Sequence, residues 1–555
     1  MTEEIRHARA ALPAPTVAHA GVPAAAKPAR KPRAIAEPVS IEDKLWAAAD
    51  ELRGKIPPAR YQDVVLGLVF LKYVSDAFAE KRSAIERALS DPGNEDFTTD
   101  PAIRESILED RDEYTAANVY WVPAEARWDR LKENAKQPNI GELVDAAMDA
   151  IERENPSLKG VLPKIYGAAG IPARSLAGLI DKFSSVEFNA EARAHDVLGR
   201  VYEYFLNRFG VNYGGEHYTP RCVVQLLVAM IEPFKGRVYD PCCGSGGMFV
   251  QSRRFVDEHG GRTADLSIYG QEAVLDTWRL AKMNLAIRGM VDAKLGDRSA
   301  DTFHEDLHPD LRADFILANP PFNDSQWHGE LLKEDPRWTY GVPPASNANY
   351  AWIQHFIHHL APDGVAGFVL ANGALSSWQN GEGEMRRKIV ESGLVDCVVA
   401  LPAQLFYGTQ IPVSLWFLAK NRGGGRGLRE RRSQILFIDV RSIGHMVSRT
   451  VRAFDETDID RIVSTYHQWR SETGFAAYSD APGFCSSRQI ADLAEHDFVL
   501  NPGRYVGAPE ADERDGDGLH DEIRGLAAIV LEKLAQGRAH EDEVRAVIQG
   551  LLDDR

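Results

Sequence analysis

Arg237-Val238-Tyr239-Asp240-Pro241-Cys242-Cys243-Gly244-Ser245-Gly246-Gly247-Met248-Phe249 is a short strand-like run that breaks at an acid and then at a cluster of small residues. Val238 and Tyr239 favour a pleated, half-buried strand, and glycines allow the backbone to turn through φ angles closed to other residues. A helix is expected to begin near Gly247. No Lys-Ser or Lys-Thr pair follows the glycines, so the turn is not a P-loop, and the dinucleotide-binding spacing is also absent. Taken alone, the turn fits either a nucleotide-like cofactor or a merely tight connection.

Working outward, strand-like runs recur at Ser267–Gly270, Asp314–Leu317, Val365–Leu370, Val395–Leu401 and Val413–Leu418, with another at Gln434–Val440. Helical patterns separate them, including Ala273–Arg288 and Tyr350–Leu360. This alternation predicts an α/β fold with a mostly parallel, doubly wound, Rossmann-like sheet. Ligands of such sheets bind beyond the carboxyl ends of the strands. Asp240 falls there, as does Glu272, which is placed to accept hydrogen bonds from ribose hydroxyls. Asp297, after a short run at Ala293–Leu295, is placed to receive an adenine amine. Singly, each acid reads as a solvated loop residue or a helix cap. At three successive strand ends they read as a site.

The sharpest pattern is Asn319-Pro320-Pro321-Phe322, directly after Asp314–Leu317. A proline-rich turn explains the prolines but not the order of polar residue first and aromatic last. That order suits chemistry on an exocyclic amine, whose lone pair is delocalised into its ring. The Asn319 amide oxygen and the Pro320 carbonyl would each accept one N–H, drawing the nitrogen toward tetrahedral geometry. Phe322 would stack on a base taken out of the duplex. Pro320 and Pro321 stiffen the turn, so the acceptors are positioned in advance.

The flanks differ in texture. Residues 1–38 are rich in Ala, Pro, Arg and Lys and read as a disordered tail. From 41 to 185 the spacing is helical, with Val64, Leu68, Leu71, Val74 and Phe78 three and four apart. The α/β unit is expected to span 190–505. Gly423–Arg432 reads as an exposed Gly/Arg-rich connection, and Pro509–Gly518 as a linker. Residues 519–555 then carry amphipathic helices.

The 555 residues are 44% hydrophobic and 26% charged, ordinary for a globular chain of several domains. No run approaches the roughly 20 apolar residues that span a bilayer, and no secretory pattern opens the chain, so cytoplasm is the expectation. Five cysteines are too few and scattered for a disulfide framework. His217, Cys222, Cys242 and Cys243 lack the paired spacing of a zinc site, so no metal is expected. The net charge of −17 excludes a broadly basic DNA-gripping surface and points to a grip shared with another subunit.

These motifs resemble the N6-adenine DNA methyltransferases, and closely the modification subunits of type I restriction–modification systems. The resemblance covers roughly Ile41 to Tyr505, including Asp497-Phe498-Val499-Leu500-Asn501-Pro502. It implies S-adenosylmethionine as cofactor and double-stranded DNA as substrate. Gly215-Glu216-His217-Tyr218-Thr219-Pro220-Arg221 is similar to a family segment that helps enclose the cofactor, although His217 stands where relatives are expected to carry an aromatic. The resemblance places Glu216, His217, Tyr218, Thr219, Pro220, Arg221, Asp240, Gly244, Ser245, Gly246, Gly247, Glu272 and Asp297 around the cofactor. It also implies a separate specificity subunit flanked by two modification subunits, a restriction subunit as a further partner, and 519–555 as a docking element.

Three other enzyme classes, and a scaffold that has lost catalysis, fit these residues less well. A cytosine C5 methyltransferase would need its Pro-Cys nucleophile at the base pocket, whereas Pro241-Cys242 lies inside the glycine turn. Protein-glutamine methyltransferases are much shorter and usually end the Asn-Pro-Pro motif in Tyr. A stand-alone adenine methyltransferase differs only in lacking the partner. Intact Asn319, Phe322, Glu272 and glycines argue against the scaffold.

Overall fold

The computed structural model describes residues 58–168, 170–184, 219–406, 411–425, 428–471 and 476–508, with isolated positions between 46 and 52, 199 and 205, and 524 and 531. The 1–38 tail and most of 519–555 lie outside the described residues, as do Glu216, His217 and Tyr218. No helix among the described residues is long and apolar enough to cross a membrane.

The helical region is built on α1 (Pro58–Ser90), a 33-residue helix whose residues 64–71 are almost wholly buried. Two amphipathic helices, α2 (Ile140–Glu154) and α3 (Ala173–Ser184), bury Val144, Met148 and Ile151, and Leu176, Ile180 and Phe183. Tyr166 pins the connection between them by donating its hydroxyl to the Val64 carbonyl at 2.7 Å. Val64, Leu68, Leu71, Val74 and Phe78, whose spacing predicts a helix, all fall on the buried face of α1.

Helix α4 (Arg221–Ile231) leads into the sheet. The strands are β1 (Gly236–Asp240), β2 (Leu266–Gly270), β3 (Ala313–Ala318), β4 (Leu360–Ala371), β5 (Val395–Ala400), β6 (Val413–Ala419), β7 (Gln434–Asp439) and β8 (Cys485–Gln489). Their spatial order is β8-β7-β5-β6-β4-β3-β1-β2. Four neighbouring pairs are parallel, β1 with β2, β1 with β3, β3 with β4, and β5 with β7. β6 runs antiparallel between β4 and β5, and β8 antiparallel on the edge. The expected sheet is therefore present with one reversed strand in its middle, because the connection after β5 doubles back as a hairpin. The run at Ala293–Leu295 forms no full strand; Lys294 makes a single bridge to Tyr269.

Alternation along the strands sorts side chains to two covered faces. On β4, Gly367 faces α4 so closely that a Cβ would lie 2.6 Å from Ile231, while the Phe368 ring lies tilted 4.7 Å from that of Phe356 of α7 (Asn349–His359) on the other face. The helices α5 (Gly247–Glu258), α6 (Leu275–Ile287) and α8 (Glu382–Glu391) complete the connections after β1, β2 and β4. The helical region joins the α4 side, and its core is continuous with that of the sheet. The chain leaves β1 toward β2 on one side and returns to β3 on the other. The crevice between the ends of β1 and β3 is therefore the switch point at which ligands of open sheets bind.

Gly423–Arg432 is exposed at Gly423, Gly425, Glu430 and Arg432, as expected, but carries more structure than a plain connection. Gly423–Gly425 pairs with Leu428–Glu430 in a small ladder, and Arg422 and Arg431 on either side are buried. Both reach the carboxylate of Asp396 on β5, at 2.8 and 3.2 Å, and Tyr466 of α9 (Glu456–Arg470) donates to the same group at 2.8 Å. The arginines hold the Asp396 carboxyl down to about 2 against the opposing effect of burial.

Candidate active site

The turn after β1 is held mainly by backbone. Asp240 accepts the Cys242 amide at 3.0 Å, and the Cys243 amide donates to the Gln271 carbonyl at 2.9 Å. The Gly244 amide donates to Glu272 at 3.0 Å, so the residue expected to bind ribose also braces the turn. Gly246, at φ +81°, caps α5, which begins at Gly247 as expected. A Cβ on Gly246 would meet Leu285 of α6, whereas at Gly244 and Gly247 it would enter open space.

That space is a cleft of about 700 Å³, open to solvent. Thr219, Arg221, Asp240, Gly244, Ser245, Gly247 and Asn319 line it, together with Asn284 and Arg288 of the helix after β2. Pro220 stands just before α4 and accepts the Val223 amide at 2.9 Å, which fixes Thr219 and Arg221 on either side. Burial pushes the Asp240 carboxyl up to about 7, with Glu272 adding to the rise. Burial likewise raises the Cys242 and Cys243 thiols far above their usual range. Thiols held protonated in this way are fillers, not nucleophiles.

Asn319 follows β3 directly across the switch point. Its Nδ2 donates to Thr219 Oγ1 at 2.9 Å, while its Oδ1 is buried with no hydrogen-bond partner among the described residues. A buried, unsatisfied acceptor costs about 1–3 kcal/mol and marks a place where a donor is missing. Pro320 is buried beside it, and Phe322 is half-buried with its ring 5.9 Å from Phe406 in an edge arrangement. Asn323, at φ +53°, and Asn349 exchange hydrogen bonds at 3.1 and 2.9 Å, fastening the loop to the start of α7.

Asp297 stands apart from this cleft. Its side chain is 82% exposed and pairs with Arg298 at 2.7 Å. Phe406, Asn284, Arg288 and Asn349 were not anticipated. Asn284 and Arg288 are four apart on one helix, a pattern also expected of a solvated face. For Asn349, the Asn347-Ala348-Asn349 run before an apolar helix was the available signal. Nothing local marks Phe406.

Asp306, His355 and His359 cluster beneath β1 with metal-like spacing. Arg337 donates to His355 Nδ1 at 3.1 Å, so that nitrogen accepts and Nε2 carries the hydrogen toward Tyr239, 3.2 Å away. His355 then has no lone pair left for an ion. Burial, with His359 and Arg337 nearby, also holds its ring neutral. The cluster is a polar brace for β1.

A family model described as N-6 DNA Methylase matches residues 193–514, and one described as HsdM N-terminal domain matches residues 41–183. The methylase subunit of the type I restriction enzyme HindI from Haemophilus influenzae is 44% identical over 453 residues, covering 78% of this chain and 99% of that protein. The MjaIX methylase subunit from Methanocaldococcus jannaschii is 41% identical over 523 residues, covering 92% of this chain and 91% of that protein. Among solved structures, the methyltransferase subunit of a type I restriction–modification system from Streptococcus thermophilus aligns with a TM-score of 0.69 at 25% identity, covering 84% of this chain and 99% of that one.

Proposed function

Because the chain belongs to the methylase subunits of type I restriction–modification systems, in the N6-adenine DNA methylase family, we propose that its cleft binds S-adenosylmethionine and that Asn319-Pro320-Pro321-Phe322 holds the adenine to be methylated. The chain is an adenine-specific DNA methyltransferase, which sets aside the glutamine-modifying and cytosine-modifying alternatives. One observation carries the assignment of the target pocket: the buried, unpartnered oxygen of Asn319, across the switch point from the glycine turn.

The cleft's residues fit the cofactor. Gly244, Ser245 and Gly247 leave backbone room and Arg221 brings a cation to the rim for a carboxylate, while Glu272, bonded to the Gly244 amide, would accept the ribose hydroxyls. Glu216, His217, Tyr218, Thr219, Pro220 and Asp240 would close the methionine side, with Gly246 shaping the turn. When bound, S-adenosylmethionine supplies an electrophilic methyl group on a sulfonium.

Asn319 Oδ1 and the Pro320 carbonyl accept the two hydrogens of the flipped adenine's amine and draw its lone pair out of conjugation. Pro321 stiffens the loop, and Phe322, with Phe406 at its edge, stacks on the base. The surplus proton leaves after transfer, so no general base is required.

The partners would be double-stranded DNA and a specificity subunit flanked by two copies of this chain, with a restriction subunit joining for cleavage. The −17 charge supports placing much of the DNA grip on the partner, and 519–555 would dock it. The test is nucleoside mass spectrometry of unmethylated genomic DNA after incubation with S-adenosylmethionine. N6-methyladenine is expected with the specificity subunit present. Equal, site-defined methylation by the purified chain alone would refute the partnership, and unmodified adenine with all subunits present would refute the site.

A further inference from the structure

We propose that Thr219 is the positioning residue that decides which end of the Asn319 amide faces the target amine, an inference resting on the reading of Asn319 as that amine's acceptor. A side-chain amide presents an oxygen and an NH₂ group of nearly equal size, and a half-turn about its last torsion exchanges them. With the oxygen inward, Asn319 accepts an N–H from adenine. With the nitrogen inward, two donors meet and the amine is repelled. The bond that fixes the choice is the one from Asn319 Nδ2 to Thr219 Oγ1, at 2.9 Å across a hundred residues of sequence.

The hydroxyl is held rigidly enough for this task. Thr219 stands before Pro220 at the start of α4, and α4 packs against both β3, which carries Asn319, and β4. One lone pair of its oxygen accepts from Asn319 Nδ2, and once its own hydrogen is donated into the cleft that both residues line, the oxygen can only accept, which keeps Nδ2 and not Oδ1 turned toward it. One hydroxyl thus joins the wall of the cofactor cleft to the group that receives the base.

Thr219→Val keeps the shape and removes the acceptor, Thr219→Ser keeps the acceptor, and Thr219→Ala removes it without branching, should valine disturb the fold. The full chain with its specificity subunit is assayed for tritium transfer from S-adenosylmethionine to unmethylated genomic DNA, and cofactor affinity is read by calorimetry. Thr219→Val and Thr219→Ala are expected to lower kcat about tenfold to a hundredfold, as small misplacements of reacting groups do. Because Thr219 also lines the cofactor cleft, kcat is read at saturating S-adenosylmethionine, where a role confined to cofactor binding would leave it unchanged, and Thr219→Ser should restore the rate. If Thr219 acts through Asn319, adding Thr219→Val to Asn319→Ala costs nothing further. An equal loss in the Asn319→Ala background, a loss explained wholly by weaker cofactor binding, or an unchanged rate in Thr219→Val overturns the inference. A wild-type rate in Asn319→Ala alone would instead remove the acceptor reading beneath it.

Discussion

The amide of Gly244 donates to the carboxylate of Glu272 at 3.0 Å, tying the turn after β1 to the end of β2. The same carboxylate accepts the Val274 amide at 2.9 Å. Glu272 thereby shapes the wall of the cleft. A charge-assisted hydrogen bond contributes about 1.5–3 kcal/mol. Glu272→Ala should therefore weaken S-adenosylmethionine binding about tenfold to a hundredfold, with Glu272→Gln milder because one oxygen remains. Calorimetry checks this, and unchanged affinity in Glu272→Ala would contradict the bracing role.

Gly246 sits at φ +81°, where a side chain strains the backbone. The left-handed region costs a non-glycine residue about 1–2 kcal/mol, and more when it is β-branched. Gly246→Val should lower the melting temperature and abolish cofactor binding by distorting the turn, with Gly246→Ala intermediate. A normal melting temperature and normal affinity in the valine variant would show that the turn does not need this conformation.

Asp240 gives a pH signature. Burial raises its carboxyl from 3.8 to about 7, so folding favours the protonated form. Stability tied to this group is complete below about pH 4 and is lost as pH rises through about 7. Asp240→Asn keeps an oxygen for the Cys242 amide but cannot ionise. Between about pH 5 and 8, wild type should lose stability relative to the variant in urea melts. Parallel curves would contradict the assignment.

Asp396 is wholly buried between Arg422 and Arg431. Removing one partner of a buried ion pair strands the other charge and costs about 3–5 kcal/mol. Asp396→Ala should destabilise the fold by about that much in chemical denaturation, while cofactor affinity of the folded fraction is retained. A loss below about 1 kcal/mol would show that the arginines find other acceptors.

The contrast between Asp240 and Asp396 shows what the chain discloses before folding. Buried parallel strands read as apolar runs, and their ends are marked by Gly, Asp and Pro. Asp240, Glu272 and Asn319 were legible for that reason, with strand limits correct to within a few residues except at the start of β4. Arg422 and Arg431 were not, because a Gly/Arg-rich stretch looks solvated unless the distant carboxylate that neutralises it is known. The bond between Thr219 and Asn319 spans a hundred residues, and no local pattern encodes it. Asp297 shows the reverse case. A position after a strand-like run was legible, but Lys294 makes only one bridge there, and the acid stands exposed beside Arg298.

The oxygen of Asn319 is the group on which the account turns, and Asn319→Ala tests it most directly. The complex carrying that variant should bind S-adenosylmethionine with near wild-type affinity by calorimetry, yet form N6-methyladenine about 10²–10³ times more slowly, as when one transition-state hydrogen bond is lost. Methyl transfer at the wild-type rate would show that the amine is held by something else.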